Sequence, residues 1–155
     1  MFAATRAGVM TAKGGGPRFW RLLVTALGSG AYYAAINEIE LRGTVGGIDL
    51  TTPSTPITHT IGGTDAYPVS DMVDGNVNTA WLSRAAPSPP FSITFDLLVP
   101  TQVKQIAIYP GDIHNVPRSP ASFVVQKSSD GLVFEDVKTF TNVAYVANTW
   151  KTFDL

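Results

Sequence analysis

The sequence predicts an all-β fold, a jelly-roll β-sandwich of about eight antiparallel strands. Short segments rich in β-branched and aromatic residues are separated by clusters of Gly, Pro, Asn and Asp, which are typical of turns. No segment shows the apolar periodicity of an amphipathic helix of three turns. Many short strands without such helices indicate a sandwich, a jelly roll or a barrel.

The 155 residues are the size of one ordinary domain, long enough to bury a core. Three glycines followed by Pro17 mark a boundary, because glycine adds backbone freedom and proline cannot extend a strand ladder. We therefore expect residues 1–17 to form a flexible N-terminal arm and residues 18–155 to form the β domain. The arm lacks the continuous apolar core of a secretory signal.

The strands are expected in order along the domain. They are predicted at Phe19–Thr25, Glu38–Arg42, Ser92–Leu97, Val103–Tyr109, Phe123–Ser128, Phe134–Phe140 and Trp150–Phe153. The segment from Thr44 to Asp65 is rich in Gly and Pro, so it is predicted to be loop with room for one short strand. Phe123–Ser128 and Phe134–Phe140 flank a Ser-Asp-Gly turn, which indicates a hairpin.

The composition argues against several classes of function. The chain has 11 Lys and Arg against 12 Asp and Glu, and this balance offers no basic surface for nucleic acid. There is no cysteine, and His59 and His114 are the only imidazoles, so a zinc site is not expected. The apolar runs are too short to span a bilayer, so we expect no membrane insertion.

Sequence motifs also argue against an enzyme. The sequence contains no Gly-x-Ser-x-Gly, no phosphate-binding Gly-x-x-x-x-Gly-Lys-Ser/Thr and no dinucleotide fingerprint. Glu38 and Glu40 are predicted on the same side of one strand, and paired carboxylates can cleave glycosides. This pair falls in a motif with a structural interpretation, given below. We therefore expect a non-catalytic protein.

Four sequence elements together point to a known family. They are Met72–Trp81, which reads apolar-Asp-Gly-x-x-x-Thr-x-Trp, then Phe91–Leu97, Ser128–Phe134, and the pair Arg18–Leu22 with Ile36–Leu41. Together they resemble the discoidin or coagulation-factor C-type domain, also called galactose-binding-like, particularly its versions in bacteriophage tail proteins. The resemblance covers roughly residues 18–155 and implies a jelly-roll fold.

The order of these elements departs from the family pattern. The pair Arg18–Leu22 and Ile36–Leu41 usually closes the domain, and here it opens the chain. Two interpretations stay open. The chain is circularly permuted, which is tolerated when the termini lie close together at the surface, or residues 18–42 are the end of a preceding repeat.

The resemblance also implies a structural calcium ion. In the family, a turn like Asp74–Thr79 and the first Glu of the Ile-x-Glu-Ile-Glu motif often hold calcium, which here maps to Asp74, Asn76, Thr79 and Glu38. Carboxylate, carbonyl and hydroxyl oxygens are the ligands that calcium prefers. In the alternative interpretation, Asp74 caps a turn and Thr79 packs under Trp81.

Ligands of such domains bind in loops at one end of the sandwich, where a rigid scaffold presents variable side chains. The strongest candidates are His114, Asn115 and Arg118, in a proline-rich loop. Other candidates are His59, Tyr67 and Arg84, whereas Trp81 is expected in the core. The alternative is that the loop is simply solvated.

The resemblance implies a non-catalytic binding module of a bacteriophage virion, in a tail fibre, spike, baseplate or decoration protein. Its expected partners are host-surface glycan, other virion proteins or both. Whether it forms homo-oligomers stays an open question at this point. It would be located in the virion, after assembly in the host cytoplasm. The alternative is a carbohydrate-binding accessory module of a secreted bacterial glycosidase.

Overall fold

The computed structural model describes residues 16–84 and 86–155, and the arm predicted for residues 1–17 lies almost entirely outside them. The described chain forms ten strands and two short 3-10 helices, Val69–Val73 and Val116–Arg118. The strands are β1 (Phe19–Leu27), β2 (Ala35–Ile36), β3 (Glu38–Arg42), β4 (Ile57–His59), β5 (Trp81–Leu82), β6 (Phe91–Asp96), β7 (Gln105–Tyr109), β8 (Pro120–Ser128), β9 (Glu135–Phe140) and β10 (Lys151–Asp154).

The strands form antiparallel sheets, so the predicted all-β class is confirmed. A five-stranded sheet has the order β4-β6-β1-β8-β9, and a three-stranded sheet has the order β10-β7-β3. A third, two-stranded sheet joins β2 to β5. The predicted hairpin is the β8–β9 pair. None of the helices in residues 16–84 and 86–155 is long and apolar enough to cross a membrane.

The core lies between the larger sheets, and in β1 it follows from alternation along the strand. In β1, Trp20, Leu22 and Val24 are each at most 2% exposed, while the residues between them are more exposed. They belong to one apolar cluster with Ile39 of β3 and Ile108 of β7. In β6, Ile93 and Phe95 are fully buried and Leu97 packs against the same cluster.

Strand β1 is central in the larger sheet, between β6 and β8. Phe19 pairs with Asp96 on one side and with Ser128 on the other. Just before the strand, Nε and Nη2 of Arg18 each donate a 2.6 Å hydrogen bond to the Asp96 carboxylate, which holds the pKa of Asp96 below its usual value. The segment that begins at Arg18 is therefore part of this sandwich.

The two-stranded sheet of β2 and β5 was not predicted from the sequence. Strands β2 and β5 have two residues each, so neither shows a measurable alternation. They pair because Ile36 and Trp81, each 1% exposed, lie opposite each other in the core. This pairing places Asn37 and Leu82 beside the cavity described next.

Candidate functional site

A cavity of about 490 Å³ opens at the end of the sandwich where β7 ends and β8 begins. We call it the polar cavity, because amide, carboxyl, hydroxyl and guanidinium groups make up much of its lining. The lining residues are Asn37, Ala66, Tyr67, Asp71, Val77, Asn78, Thr79, Ala80, Leu82, Gly111, Asp112, Asn115, Arg118 and Asn148. The volume is within the range of small-molecule sites.

The loop after β7 is shaped by its own hydrogen bonds. Oδ1 of Asp112 accepts from the backbone N–H of His114 at 3.0 Å and of Asn115 at 3.2 Å. The 3-10 helix Val116–Arg118 follows, and the Arg118 N–H donates to the Asn115 carbonyl at 2.9 Å. This turn brings Asn115 and Arg118 into the lining of the cavity, whereas His114 is not part of it.

A chain of side-chain hydrogen bonds crosses the wall of the polar cavity. Arg118 Nη1 donates to Asn115 Oδ1 at 3.0 Å, and Asn115 Nδ2 donates to Asn37 Oδ1 at 2.9 Å. Asn37 Nδ2 in turn donates to the Val77 carbonyl at 3.0 Å. We call this chain the amide relay. It fixes the orientation of each amide, because both ends of the buried Asn37 amide are engaged.

Asn37 was not among the residues predicted from the sequence. It lies between β2 and β3 and is 7% exposed, a degree of burial that asparagine seldom reaches without hydrogen-bond partners. The available signal was its place beside Glu38 in the Ile-x-Glu-Ile-Glu motif. That motif suggested a metal ligand at Glu38 and nothing about its neighbour.

The other predicted ligand-binding residues are divided between two places. Tyr67 lines the polar cavity and is 48% exposed. Arg84 Nε donates to the Gly63 carbonyl at 3.0 Å, outside the cavity lining. The His59 ring hydrogen-bonds the Ile61 carbonyl and packs against Trp81, 5.5 Å between ring centroids. Trp81 is 1% exposed, in the core as predicted.

The predicted calcium ligands lie together beside this cavity. Asp74 Oδ1 accepts from the Asn76 N–H and Asp74 Oδ2 from the Thr79 hydroxyl, both at 2.8 Å. Glu38 Oε1 accepts from the Gly75 N–H at 3.3 Å. The turn thus has the internal hydrogen bonds of the capping interpretation, and it also faces the Glu38 carboxyl.

Glu38 is the unusual member of this group. It is 2% exposed, and its Oε2 is buried without a hydrogen-bond partner among the described residues. Burial, with smaller contributions from the nearby Asp74 and Asp49 carboxylates, raises the pKa of Glu38 to about 7 against the lowering effect of the Gly75 hydrogen bond. A hard cation would supply the missing partner, so these oxygen ligands fit calcium. The set is sparse, because residues 16–84 and 86–155 contain no metal-suited group of three or more His, Cys, Asp or Glu.

Glu38 and Glu40 have different partners. Glu40 binds Arg42 Nη2 at 2.5 Å, while Glu38 faces the Gly75 backbone.

A family model for the F5/8 type C domain matches residues 51–155. The chain belongs to this family.

The F5/8 type C domain is a non-catalytic binding domain. The predicted resemblance to the discoidin family is confirmed as family membership over the matched residues. The match includes Met72–Trp81, Phe91–Leu97 and Ser128–Phe134, and it begins after β3. Comparison with curated proteins and with solved structures found no match. Strands β1 to β3 lie outside the matched residues and pair with matched strands in the same sheets.

Proposed function

We propose that this F5/8 type C domain binds carbohydrate in the polar cavity, with Arg118 and Asn115 as its main hydrogen-bonding side chains. The observation that carries the proposal is the amide relay, which holds both side chains in fixed orientations at the cavity wall. Fixed donors and acceptors suit a ligand covered in hydroxyl groups, because less side-chain freedom is lost on binding.

The free hydrogen-bonding capacity of the cavity supports a sugar. A guanidinium has five N–H donors, and the Arg118 contact to Asn115 uses Nη1. The Asp71 carboxyl adds an acceptor, and the half-exposed Tyr67 ring offers an aromatic surface at the rim. Polar groups beside one aromatic side chain match the two chemical faces of a pyranose ring.

A glycan array tests this function, with Arg118→Ala as the cavity variant and Arg84→Ala as its matched control. Both substitutions remove one arginine, but Arg84 lies outside the lining. We expect the unaltered domain and Arg84→Ala to bind the same glycans, and Arg118→Ala to bind them at least about tenfold more weakly. Absence of binding by the unaltered domain, or equal loss in both variants, would refute the proposal.

We also propose that Glu38, Asp74, Asn76 and Thr79 hold a structural calcium ion, which would neutralise the buried Glu38 carboxyl. The orphaned Oε2 and the oxygen-only chemistry of the turn support this assignment. Calcium should raise the melting temperature of the domain, and it should have no such effect on Glu38→Gln. A melting temperature unaffected by calcium would contradict the assignment.

Two backbone hydrogen bonds support a further proposal, that the chain is a circular permutation of the usual family order. The Pro17 carbonyl accepts from the Thr101 N–H, and the Leu155 N–H donates to the Lys104 carbonyl, both at 2.9 Å. Residues 17 and 155 thus lie against one short segment, within about 10 Å along an extended chain. In the usual family order, the strand equivalent to β10 is followed by the strand equivalent to β1. In this structure a short connection would be enough to join the end of β10 to the start of β1.

Two variants distinguish permutation from the end of a preceding repeat. One joins residue 155 to residue 16 through a short Gly-Ser linker and opens the chain in the exposed loop between Pro53 and Ser54. The other is the fragment 51–155 alone. Permutation predicts that the first folds and the second does not, because the fragment lacks central β1. A stably folded fragment would favour the repeat interpretation.

For the biological setting we propose a bacteriophage virion, which is supported by the motif resemblance alone. One structural feature favours docking to another virion subunit as a second function. Leu98, Val99, Leu132 and Val133 are 57–85% exposed at the end of the sheet where β1 begins, opposite the polar cavity. Sedimentation of the unaltered domain and, separately, of the Leu132→Ser variant would show whether this end mediates self-association.

A further inference from the structure

A second cavity of about 360 Å³ adjoins the polar cavity. It is lined by Tyr33, Thr64, Ala66, Tyr67, Leu82 and Ser83, and we call it the apolar cavity. Ala66, Tyr67 and Leu82 line both cavities. The two cavities are therefore adjacent at Ala66, Tyr67 and Leu82, and we call the pair the cleft.

Arg118 marks the same boundary from the other side. Its guanidinium carbon lies 5.5 Å from the ring centroid of Tyr33, within the range of a cation–π contact. Arg118 lines the polar cavity, whereas Tyr33 lines the apolar one. A ligand that extends from one cavity to the other would pass the guanidinium at this boundary.

The chemistry of the two cavities differs. Among the described residues, no charged side chain lines the apolar cavity. The Ser83 hydroxyl is already engaged, since it accepts from the Ala34 N–H and donates to the Arg84 carbonyl. Thr64 Oγ1 has no partner in residues 16–84 and 86–155. Apart from Thr64 Oγ1, which can hydrogen-bond one polar atom of a ligand, the space suits an apolar group more than another set of hydroxyls.

The charges of the polar cavity indicate a neutral ligand. Among the described residues, the lining has two acidic side chains, Asp71 and Asp112, and one arginine, Arg118, so a bound carboxylate would add to an excess of negative charge. Like charges that are held together in a partly enclosed site disfavour binding. A sialic or uronic acid is accordingly a poor candidate.

We infer that the cleft binds a neutral oligosaccharide of at least two rings, one of which carries a methyl group and occupies the apolar cavity. The methyl group belongs to an acetamido substituent or to a 6-deoxyhexose, and the two share the apolar contact with Leu82 and Tyr67. This inference rests on the proposed carbohydrate function and extends it, because it names the class of sugar and the residues that select it.

Calorimetric titration with matched sugars tests the inference. N,N′-diacetylchitobiose and cellobiose share one β-1,4-linked backbone and differ in their acetamido groups. A disaccharide ending in a 6-deoxyhexose and its 6-hydroxy counterpart form the second pair. We expect the methyl-bearing member of at least one pair to bind about tenfold more tightly, and more tightly than the corresponding methyl-bearing monosaccharide.

Leu82→Ala should remove this preference, while Leu132→Ala, the same change at an 85% exposed position at the opposite end, should keep it. Tyr67→Ala gives the same test at a half-exposed residue if Leu82→Ala impairs folding. Arg118-dependent binding without any methyl preference would overturn the inference and leave the carbohydrate function standing. No binding of any saccharide would overturn both.

Discussion

Gly111 tests the rigidity of the amide relay. Its φ is +79°, and a Cβ at this position would lie 2.5 Å from Asn37 Cγ and closer still to Asn37 Oδ1. Gly111→Ala therefore forces the Asn37 amide to move. Because Asn37 accepts from Asn115 and donates to the Val77 carbonyl, its movement breaks both hydrogen bonds.

The loss of stability has two parts. The left-handed backbone costs a non-glycine residue about 1–2 kcal/mol. Two broken hydrogen bonds of a buried amide add about 1 kcal/mol each. Gly111→Ala should therefore lower the free energy of unfolding by about 3–4 kcal/mol.

Gly30→Ala is the matched control for the backbone cost. Gly30 has a φ of +78°, and no heavy atom lies within 4 Å of a Cβ added there. It should lose only the backbone part, about 1–2 kcal/mol. Urea unfolding at neutral pH measures both variants. Equal losses would mean that Asn37 moves without cost, and the account of the relay would be wrong.

Two further predictions concern the buried carboxyl and the core. The pKa of Glu38 rises from 4.5 to about 7 on folding, so the folded state holds the proton more tightly than the unfolded state. Without calcium, the free energy of unfolding should therefore fall by on the order of 3 kcal/mol as the pH rises through this range. Urea unfolding of Glu38→Gln should lack this decline, while Asp49, whose pKa burial also raises, titrates in both proteins. Phe153 is 4% exposed and its ring packs edge-on against Phe123, so Phe153→Ala should cost about 3–5 kcal/mol in thermal or urea unfolding. Trp150→Ala, at a 36% exposed position, should cost about 1 kcal/mol, and similar losses in both would contradict the core assignment.

The long strands could be predicted because each carries a run of β-favouring residues between turn signals. The β-favouring composition of residues 19–25 identified β1, and the alternation of apolar residues in residues 92–97 identified β6. The hairpin β8–β9 followed from its Ser-Asp-Gly turn, where Asp130 Oδ1 accepts from two backbone N–H groups. Two-residue strands carry no such pattern, and β2 and β5 form only because a distant partner is present.

The cleft was predicted only in part, for a related reason. The loop composition identified Asn115 and Arg118, which the structure brings to the cavity wall beside Tyr67. Asn37 and Leu82 reach the cleft through the pairing of β2 with β5, about 45 residues apart in sequence. A long-range contact of this kind leaves no local trace in the composition, so neither residue could have been proposed from its neighbours.

The arrangement around Asn37 and Glu38 explains how one short segment can serve both the predicted calcium turn and the cleft. Glu38 accepts from the Gly75 N–H, and Asn37 donates to the Val77 carbonyl, so consecutive residues hold the same turn at two points. Asn37 also accepts from Asn115, which positions Arg118. If the proposed calcium ion holds the turn in place, it also holds Asn37 and, through Asn115, Arg118; by thermodynamic reciprocity the proposed sugar would then raise the affinity for calcium.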